Sequence, residues 1–153
     1  MSHSVVEQIA AQLAAEIDAI TVSNGFTQDL TAIRPRRLDF SGILLNDGKV
    51  FIWQGDREPA GEPVSMCDEW LQTFTIGAIL IDSDDESDSI DTRLNDVASD
   101  IEKKLKADVT RGQLAVDTFI TQVEKIDTEE NTGVLITVIV HYRTAFNDPY
   151  TLG

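Results

Sequence analysis

Hydrophobic residues recur at helical spacing in two segments of the chain. The first predicted helix covers residues 4–20, and Ser4 followed by Glu7 has the form of a capping box at its start. The second runs from Ile90 to Lys106, with acidic residues near its start and lysines near its end, which complements the helix dipole. Each helix carries one apolar stripe: Val5, Ile9, Leu13 and Ile17 in the first, and Ile90, Leu94, Val97, Ile101 and Leu105 in the second.

Alternating apolar positions predict strands in much of the remaining chain. Long strands are predicted at 69–81, 114–125 and 134–143, the last two joined as a hairpin by a polar loop. The turn signal Asn46-Asp47-Gly48 precedes a short strand at 50–53. Two segments rich in turn formers are predicted to lie outside the sheet: a loop over residues 55–65 and a polar tail over residues 144–153.

These elements predict an α+β fold in which two helices pack on one face of a mostly antiparallel sheet of about five strands, with a long C-terminal hairpin. No linker or internal repeat divides the chain, so residues 1–153 are predicted to form one domain. The second face of the longest strands mixes Leu, Ile and Thr, which is too apolar to be comfortable in water. A neighbouring subunit is a natural cover for that face.

The composition is that of a soluble globular protein, with 42% hydrophobic and 25% charged residues in 153. Twelve basic against 27 acidic residues give a net charge of −15, which disfavours binding to nucleic acid or to an anionic membrane. No segment has the pattern of a signal peptide or of a transmembrane helix. The one cysteine, Cys67, excludes an intrachain disulfide and fits a reducing compartment.

The acidic run 82–91 invites comparison with a calcium-binding loop, because acidic residues fall at alternate positions from Asp82. Ser87 stands where an EF-hand needs glycine, and Arg93 stands where it needs a bidentate glutamate. We therefore interpret the run as a solvated loop that caps the second helix, and we expect no metal site. Asp84, Asp85 and Glu86 remain candidates for contacts with another protein or for lining a channel.

No nucleophile, phosphate-loop, zinc or dinucleotide motif is present, so we expect no catalytic residues, no cofactor and no enzymatic activity. Of the two histidines, His3 lies near the terminus, and His141 lies near the end of a strand beside Arg143. His141 and Arg143 are candidate interface residues on the mixed strand face. A basic cluster in this acidic chain, formed by Arg34, Arg36 and Arg37, is a further candidate because it could meet an acidic patch on a second copy.

The order of elements and several local patterns resemble the tail terminator, or tail completion, proteins of long-tailed bacteriophages. The strand pattern E-W-x-x-x-F-x-I begins at Glu69, and an Asp-rich loop leads into the helix pattern I-x-x-x-L-x-x-V-x-x-D-I from Ile90. The chain then closes with V-L-I-T-V-I-V-H-Y-R-T from Val134 and with a short tail containing Asp148-Pro149.

This resemblance implies a structural role in the virion tail, after assembly in the host cytoplasm. The chain would form a homo-oligomeric ring, usually a hexamer, at the head-proximal end of the tail tube. The ring would stop tube polymerisation and join the tail tube protein to the head-side connector. Genomic DNA would pass through the ring without specific binding, and no membrane would be involved.

Three alternatives remain open at this point. A different head–tail neck or connector protein would share the same features. An acidic inhibitor that mimics DNA would fit the charge, although six of the 27 acids crowd residues 82–91 instead of spreading along one face. A small acidic enzyme would need a set of side chains that sequence spacing hides.

Overall fold

The computed structural model describes residues 3–35, 42–61, 66–81, 90–128 and 131–153. Within them the chain has the predicted α+β fold: two helices and a mixed, mostly antiparallel, strongly curled sheet of six strands. The elements in chain order are α1 Val5–Asp18, β1 Thr31–Ile33, β2 Lys49–Pro59, β3 Cys67–Ile81, α2 Ile90–Ala107, β4 Asp117–Asp127, β5 Asn131–Ala145 and β6 Asp148–Leu152.

The sheet is organised around the two longest strands, β3 and β5. Their antiparallel ladder is unbroken over 15 residue pairs, from Cys67 opposite Ala145 to Ile81 opposite Asn131. The strand order is β1-β2-β3-β5-β4, with β1 parallel to β2 and the other pairs antiparallel. The C-terminal strand β6 pairs with Thr144 and Ala145 of β5, which lie past His141, the partner of the first residue of β4. The predicted long hairpin is therefore β4–β5, and β6 extends the sheet at its far end.

The core lies between the helices and one face of this sheet. Alternate residues of β3 and β5 are buried there, as the period-two pattern predicts. The apolar stripes of α1 and α2 pack in the same cluster, so both helices cover the same face. The most enclosed members include Ile9, Leu13, Phe74, Ile76, Val97, Ile101, Val138 and Val140. Burial of these side chains is the main source of stability for the fold.

The start of α1 follows the sequence signal, and a short 3₁₀ turn, Val22–Asn24, lies after the end of the helix at Asp18. The Ser4 hydroxyl oxygen accepts a hydrogen bond from the backbone N–H of Glu7 at 3.3 Å, as a helix N-cap does. Gly25 ends the following short 3₁₀ turn with a φ of 93°, a conformation that glycine adopts without steric cost. The turn at Asn46-Asp47-Gly48 is also present, with Gly48 at a φ of 72°.

The predicted loop over residues 55–65 is wrong in its first part, because β2 continues to Pro59. A β-bulge between Gln54 and Arg57 accommodates Gly55. Gln72 supports this bulge by donating hydrogen bonds from its side-chain amide to the carbonyl oxygens of Gly55 and Asp56. Proline has no backbone N–H to donate to a neighbouring strand. This costs little at Pro59, because β1 pairs only with residues 49–51 at the start of β2.

The predicted polar tail over residues 144–153 is also wrong. β5 continues to Ala145, and the chain turns through Asn147 at a φ of 59° into β6. Pro149 is tolerated within β6 because the ladder with β5 joins only Asp148 and Leu152, on either side of it. The prediction of a strand from residue 114 is three residues early, because 114–116 form a turn before β4.

Candidate functional site: exposed apolar surfaces of the sheet

The sheet face opposite the helices, here called the outer face, is only half-covered. Residues that alternate with the core positions of β3 and β5 project on this side, and their exposure is intermediate. They include Leu71, Thr73, Thr75, Ile79, Leu135, Thr137 and Ile139. The strand register adds Phe119 of β4, which lies opposite Ile139 and is 45% exposed. The predicted mixed second face therefore exists, and its apolar side chains are partly exposed.

One aromatic side chain covers part of the outer face. Phe51 of β2 lies opposite Gly77 of β3 and is only 2% exposed. A Cβ atom on Gly77 would come within 2.0 Å of the Phe51 ring, so the ring lies directly over the glycine. The absence of a side chain at Gly77 is what leaves room for the Phe51 ring at this position of the sheet.

A charged cluster occupies the outer face near the end of the β3–β5 ladder. Glu69 accepts a hydrogen bond from Arg143 Nε at 2.6 Å, and its other carboxylate oxygen lies 3.3 Å from His141 Nε2. Partial burial alone would raise the pKa of Glu69, but the hydrogen bonds from Arg143 and His141 and their charges outweigh it, and this pKa lies below its ordinary value. The carboxylate therefore stays ionised and holds both side chains in place.

Beyond this cluster, one end of the sheet exposes several large apolar side chains, a region named the apolar end. Met66 comes directly before Cys67 and Phe146 directly after Ala145, the ladder pair at this end of β3 and β5, and they are 82% and 58% exposed. Tyr150 and Leu152 of β6 are about half-exposed at the same end. Exposed apolar patches are typical of contact surfaces, so this end of the sheet is a candidate one.

A groove of about 400 Å³ lies at the opposite end of β5, between α2 and the β4–β5 hairpin, and is named the α2–β4 groove. Its apolar lining comes from Leu94 and Ala98 of α2, Val123 of β4 and Val134 of β5. Val123 is 53% exposed although its register partner, Ile136, is a core residue. An ion pair of 2.5 Å between Lys125 and Asp91 lies at the groove, and it raises the pKa of Lys125.

The structure separates the predicted interface residues. His141 and Arg143 are brought together by Glu69, as described above. Arg34 instead forms two hydrogen bonds with the Glu7 carboxylate of α1, at 2.8 and 3.0 Å, which lower the pKa of Glu7 and raise that of Arg34. The remaining candidates, Arg36, Arg37, Asp84, Asp85 and Glu86, lie outside the described residues.

Sequence reasoning missed the components of both apolar surfaces. The alternation in β6 is too short to predict a strand, so the sequence predicts that Phe146, Tyr150 and Leu152 lie in a polar tail. Val123 has the spacing of a strand residue, but only the β4 bulge between Ile120 and Gln122 turns it toward α2. The contact of Glu69 with His141 and Arg143 depends on the register of strands more than 60 residues apart, which sequence spacing does not encode.

Within the described ranges, no group of three His, Cys, Asp or Glu side chains is arranged to hold a metal ion. No helix there has the length and hydrophobicity to cross a bilayer. No protein-family model matches the chain, and no curated protein matches it significantly.

Proposed function

We propose that this chain is a structural subunit of a bacteriophage tail, forming a ring at the head-proximal end of the tail tube. In this role the ring ends tube polymerisation and joins the tube to the head-side connector. The observation that carries the proposal is the exposure of large apolar side chains at the apolar end in a molecule of net charge −15. An acidic chain that left these side chains in water would lose the benefit of burying them, whereas a subunit of an assembly buries them against partners.

The fold supports the proposal in a second way. Two helices packed on one face of an antiparallel sheet are what the sequence resemblance to tail terminator proteins implies, and the chain has that architecture. One face of the sheet is reserved for the core, and the other offers Leu, Ile and Thr side chains of intermediate exposure. A subunit built in this way can bury its outer face and sheet ends against copies of itself, the tube and the connector.

The acidic character is compatible with DNA transit through a ring. Within a Debye length of about 8 Å at physiological salt, carboxylates repel phosphates, and a wall of Lys and Arg would instead release counterions and grip the duplex. Twelve basic residues against 27 acidic ones leave each subunit with little capacity to hold DNA. The ring would therefore let the genome pass without specific contacts.

The proposal is tested by deleting the coding sequence from a phage that encodes this chain and measuring tail lengths by electron microscopy. We expect tails of variable, extended length that fail to join heads, and we expect the chain supplied from a plasmid to restore uniform tails. Tails of normal length that lack heads would instead indicate a different neck protein. Complete, infectious virions without the chain would contradict a structural role altogether.

A further inference from the structure

Two glycines interrupt the outer face of the sheet, one on each of its central strands. Gly77 of β3 lies opposite Leu135, and Gly133 of β5 lies opposite Ile79. Because side chains alternate between the two faces, both glycines lie on the same side as the partly exposed Leu, Ile and Thr side chains. A glycine within a strand leaves a gap in that face, since it has no side chain to pack.

The two gaps differ in what occupies them. The gap at Gly77 is filled by the Phe51 ring, which is 2% exposed. A Cβ atom added to Gly133 would instead have β3 itself as its nearest neighbour, with the Ala78 carbonyl oxygen at 2.8 Å and Ile79 Cγ1 at 3.7 Å. Among the described residues, no aromatic ring lies over Gly133 as Phe51 lies over Gly77.

A cavity of about 120 Å³, here called the Gly133 notch, lies at the second glycine. Ile79 of β3 and Ile126 of β4 are the register partners of Gly133 on its two sides, and both line the cavity. Leu135, the next residue of β5 on this face, adds to the lining. These three side chains are only partly buried, so the notch can be reached from solvent. An apolar cavity of about 150 Å³ holds benzene, so the notch is close to the size of one phenyl ring.

We propose that the Gly133 notch is a binding site for a phenylalanine side chain of a partner protein, carried on a segment that also contains lysine or arginine. The Phe51–Gly77 contact is the argument for the ring, because the same face already accommodates a phenyl group over a glycine of a neighbouring strand. Aromatic side chains that enter apolar pockets are common anchors of protein interfaces. The inference goes beyond the proposed role in a tail and does not depend on it.

The exposed ring that the described residues place on this face lies too far away to fill the notch. Phe119 of β4 is 45% exposed, but it lies opposite Ile139, six residues along β5 from Gly133. That spacing corresponds to about 20 Å along a strand, and the continuous ladder with β3 fixes it. We therefore expect the ring to come from another molecule.

The charge of the chain favours a basic segment as the carrier of that ring. Glu124 lies on the outer face two residues before Ile126, Asp127 directly follows Ile126, and both acidic side chains are exposed. Lys125 lies between them but pairs with Asp91 of α2, on the helix side of the sheet. With a net charge of −15 over the whole chain, a lysine or arginine beside the incoming ring is attracted and an acidic residue is repelled.

The test follows the isoleucine methyl groups of the notch by NMR during titration of the full chain with blocked pentapeptides. The first peptide has phenylalanine between two pairs of lysines. The second has alanine in place of phenylalanine, and the third has glutamates in place of the lysines. A ring seated between Ile79 and Ile126 moves their methyl signals upfield by its ring current, whereas contacts of lysine alone do not. Ile126→Thr makes one wall polar, and Val123→Thr, at a 53% exposed position on the other side of β4, is the matched control.

We expect the first peptide to shift both methyl signals upfield at millimolar concentration. The alanine peptide should cause no upfield shift, and the glutamate peptide should bind at least about fivefold more weakly than the first. Ile126→Thr should weaken binding of the first peptide at least about fivefold, because apolar contact with the ring is lost, and Val123→Thr should leave it unchanged. Unchanged methyl signals of the core residue Ile76 confirm that each variant is folded, and the comparison of peptides on the wild type needs no variant.

Four outcomes would overturn the inference. Methyl signals of Ile79 and Ile126 that stay in place at millimolar peptide would show that the notch accepts no ring. An alanine or a glutamate peptide that binds as tightly as the first would show that the ring or the basic charge is not recognised. Ile126→Thr that binds like the control would place the peptide elsewhere. Methyl signals that shift when the chain alone is concentrated would show that a second copy covers the notch. The tail-length experiment decides the proposed function separately in every case.

Discussion

At the scale of single residues, a fully buried arginine links the two helices. Arg111 is 0% exposed and donates hydrogen bonds to the Glu16 carboxylate of α1 and to the backbone carbonyl oxygens of Leu105 and Asp108. Burial lowers the pKa of Arg111 to about 10, so the guanidinium remains charged at neutral pH. The guanidinium N–H groups thus donate to backbone carbonyl oxygens at the end of α2 that have no hydrogen-bond partner within the helix.

Replacing this arginine should be among the most damaging changes in the chain. We expect Arg111→Met to lower the free energy of unfolding by about 3 kcal/mol, because it leaves the Glu16 charge without its buried partner. Adding Glu16→Gln should recover part of the loss. Chemical denaturation measures both, with Lys106→Met at an exposed position as control. A cost for Arg111→Met no larger than that of the control would contradict this account.

A second residue-scale prediction concerns Asp108, which shapes the turn after α2. Its carboxylate accepts hydrogen bonds from the Thr110 hydroxyl and from the backbone N–H groups of Gly112 and Thr110, and these lower its pKa. Because the folded pKa is lowered, the stabilisation is complete above the ordinary value of about 4 and is lost as pH falls through the lowered pKa.

We therefore expect Asp108→Asn to lower the free energy of unfolding by about 1 kcal/mol at pH 7, since three donors lose a charged acceptor. The difference between the variant and the wild type should narrow as the pH falls below about 4. Asp96→Asn, on the exposed side of α2, controls for the loss of one charge. A difference that stays constant down to acid pH would mean that the ionised carboxylate is not what supports the turn.

At the scale of the elements, β2 and β3 depend on the close packing of Phe51 over Gly77. Gly77→Ala should displace the Phe51 ring into solvent and lower the free energy of unfolding by about 2 kcal/mol. Gly55→Ala is the matched control, because a Cβ atom there would lie 3.4 Å from the nearest atom, the Thr73 carbonyl oxygen. Thermal denaturation compares the two variants. Equal, small effects would show that Phe51 can move at little cost.

The sequence predicts those elements whose signals are local and periodic. Both helices follow from their apolar stripes, and β3 and β5 follow from long alternating runs. The extension of β2 through Gly55 and Pro59 could not be predicted, because it depends on a bulge supported by Gln72 from another strand. The short strand β6 likewise owes its formation to pairing with β5, since its own pattern is typical of a tail.

The sequence predicts that one face of the sheet is apolar and exposed, but it does not predict where the apolar end and the α2–β4 groove lie. The mixed apolar pattern of β3 and β5 indicates a second face that needs a partner, and that face is half-exposed. The apolar end and the α2–β4 groove depend on tertiary placement: β6 at the edge of the sheet, and a bulge that reorients Val123. Neither feature leaves a periodic signal in the sequence, because each results from contacts between distant segments.

At the scale of the whole molecule, the net charge of −15 leads to a prediction about DNA. We expect the chain not to bind duplex DNA even at low salt, where electrostatic attraction to a basic protein would be strongest. Fluorescence anisotropy of a labelled duplex measures this directly. We also expect that adding the chain to a nuclease and its DNA substrate leaves the rate of digestion unchanged. Competition with DNA for the nuclease would contradict the structural role and support a DNA mimic.

In the proposed role, several identical copies of this chain form a ring at one end of the tail. The most direct measurement is the number of copies per virion, from quantitative mass spectrometry against the tail tube protein, together with their location by cryo-electron microscopy. We expect several symmetry-related copies at the head-proximal end of the tube, and six if the resemblance to tail terminators extends to the assembly. A single copy per tail, or complete virions that lack the chain, would contradict it.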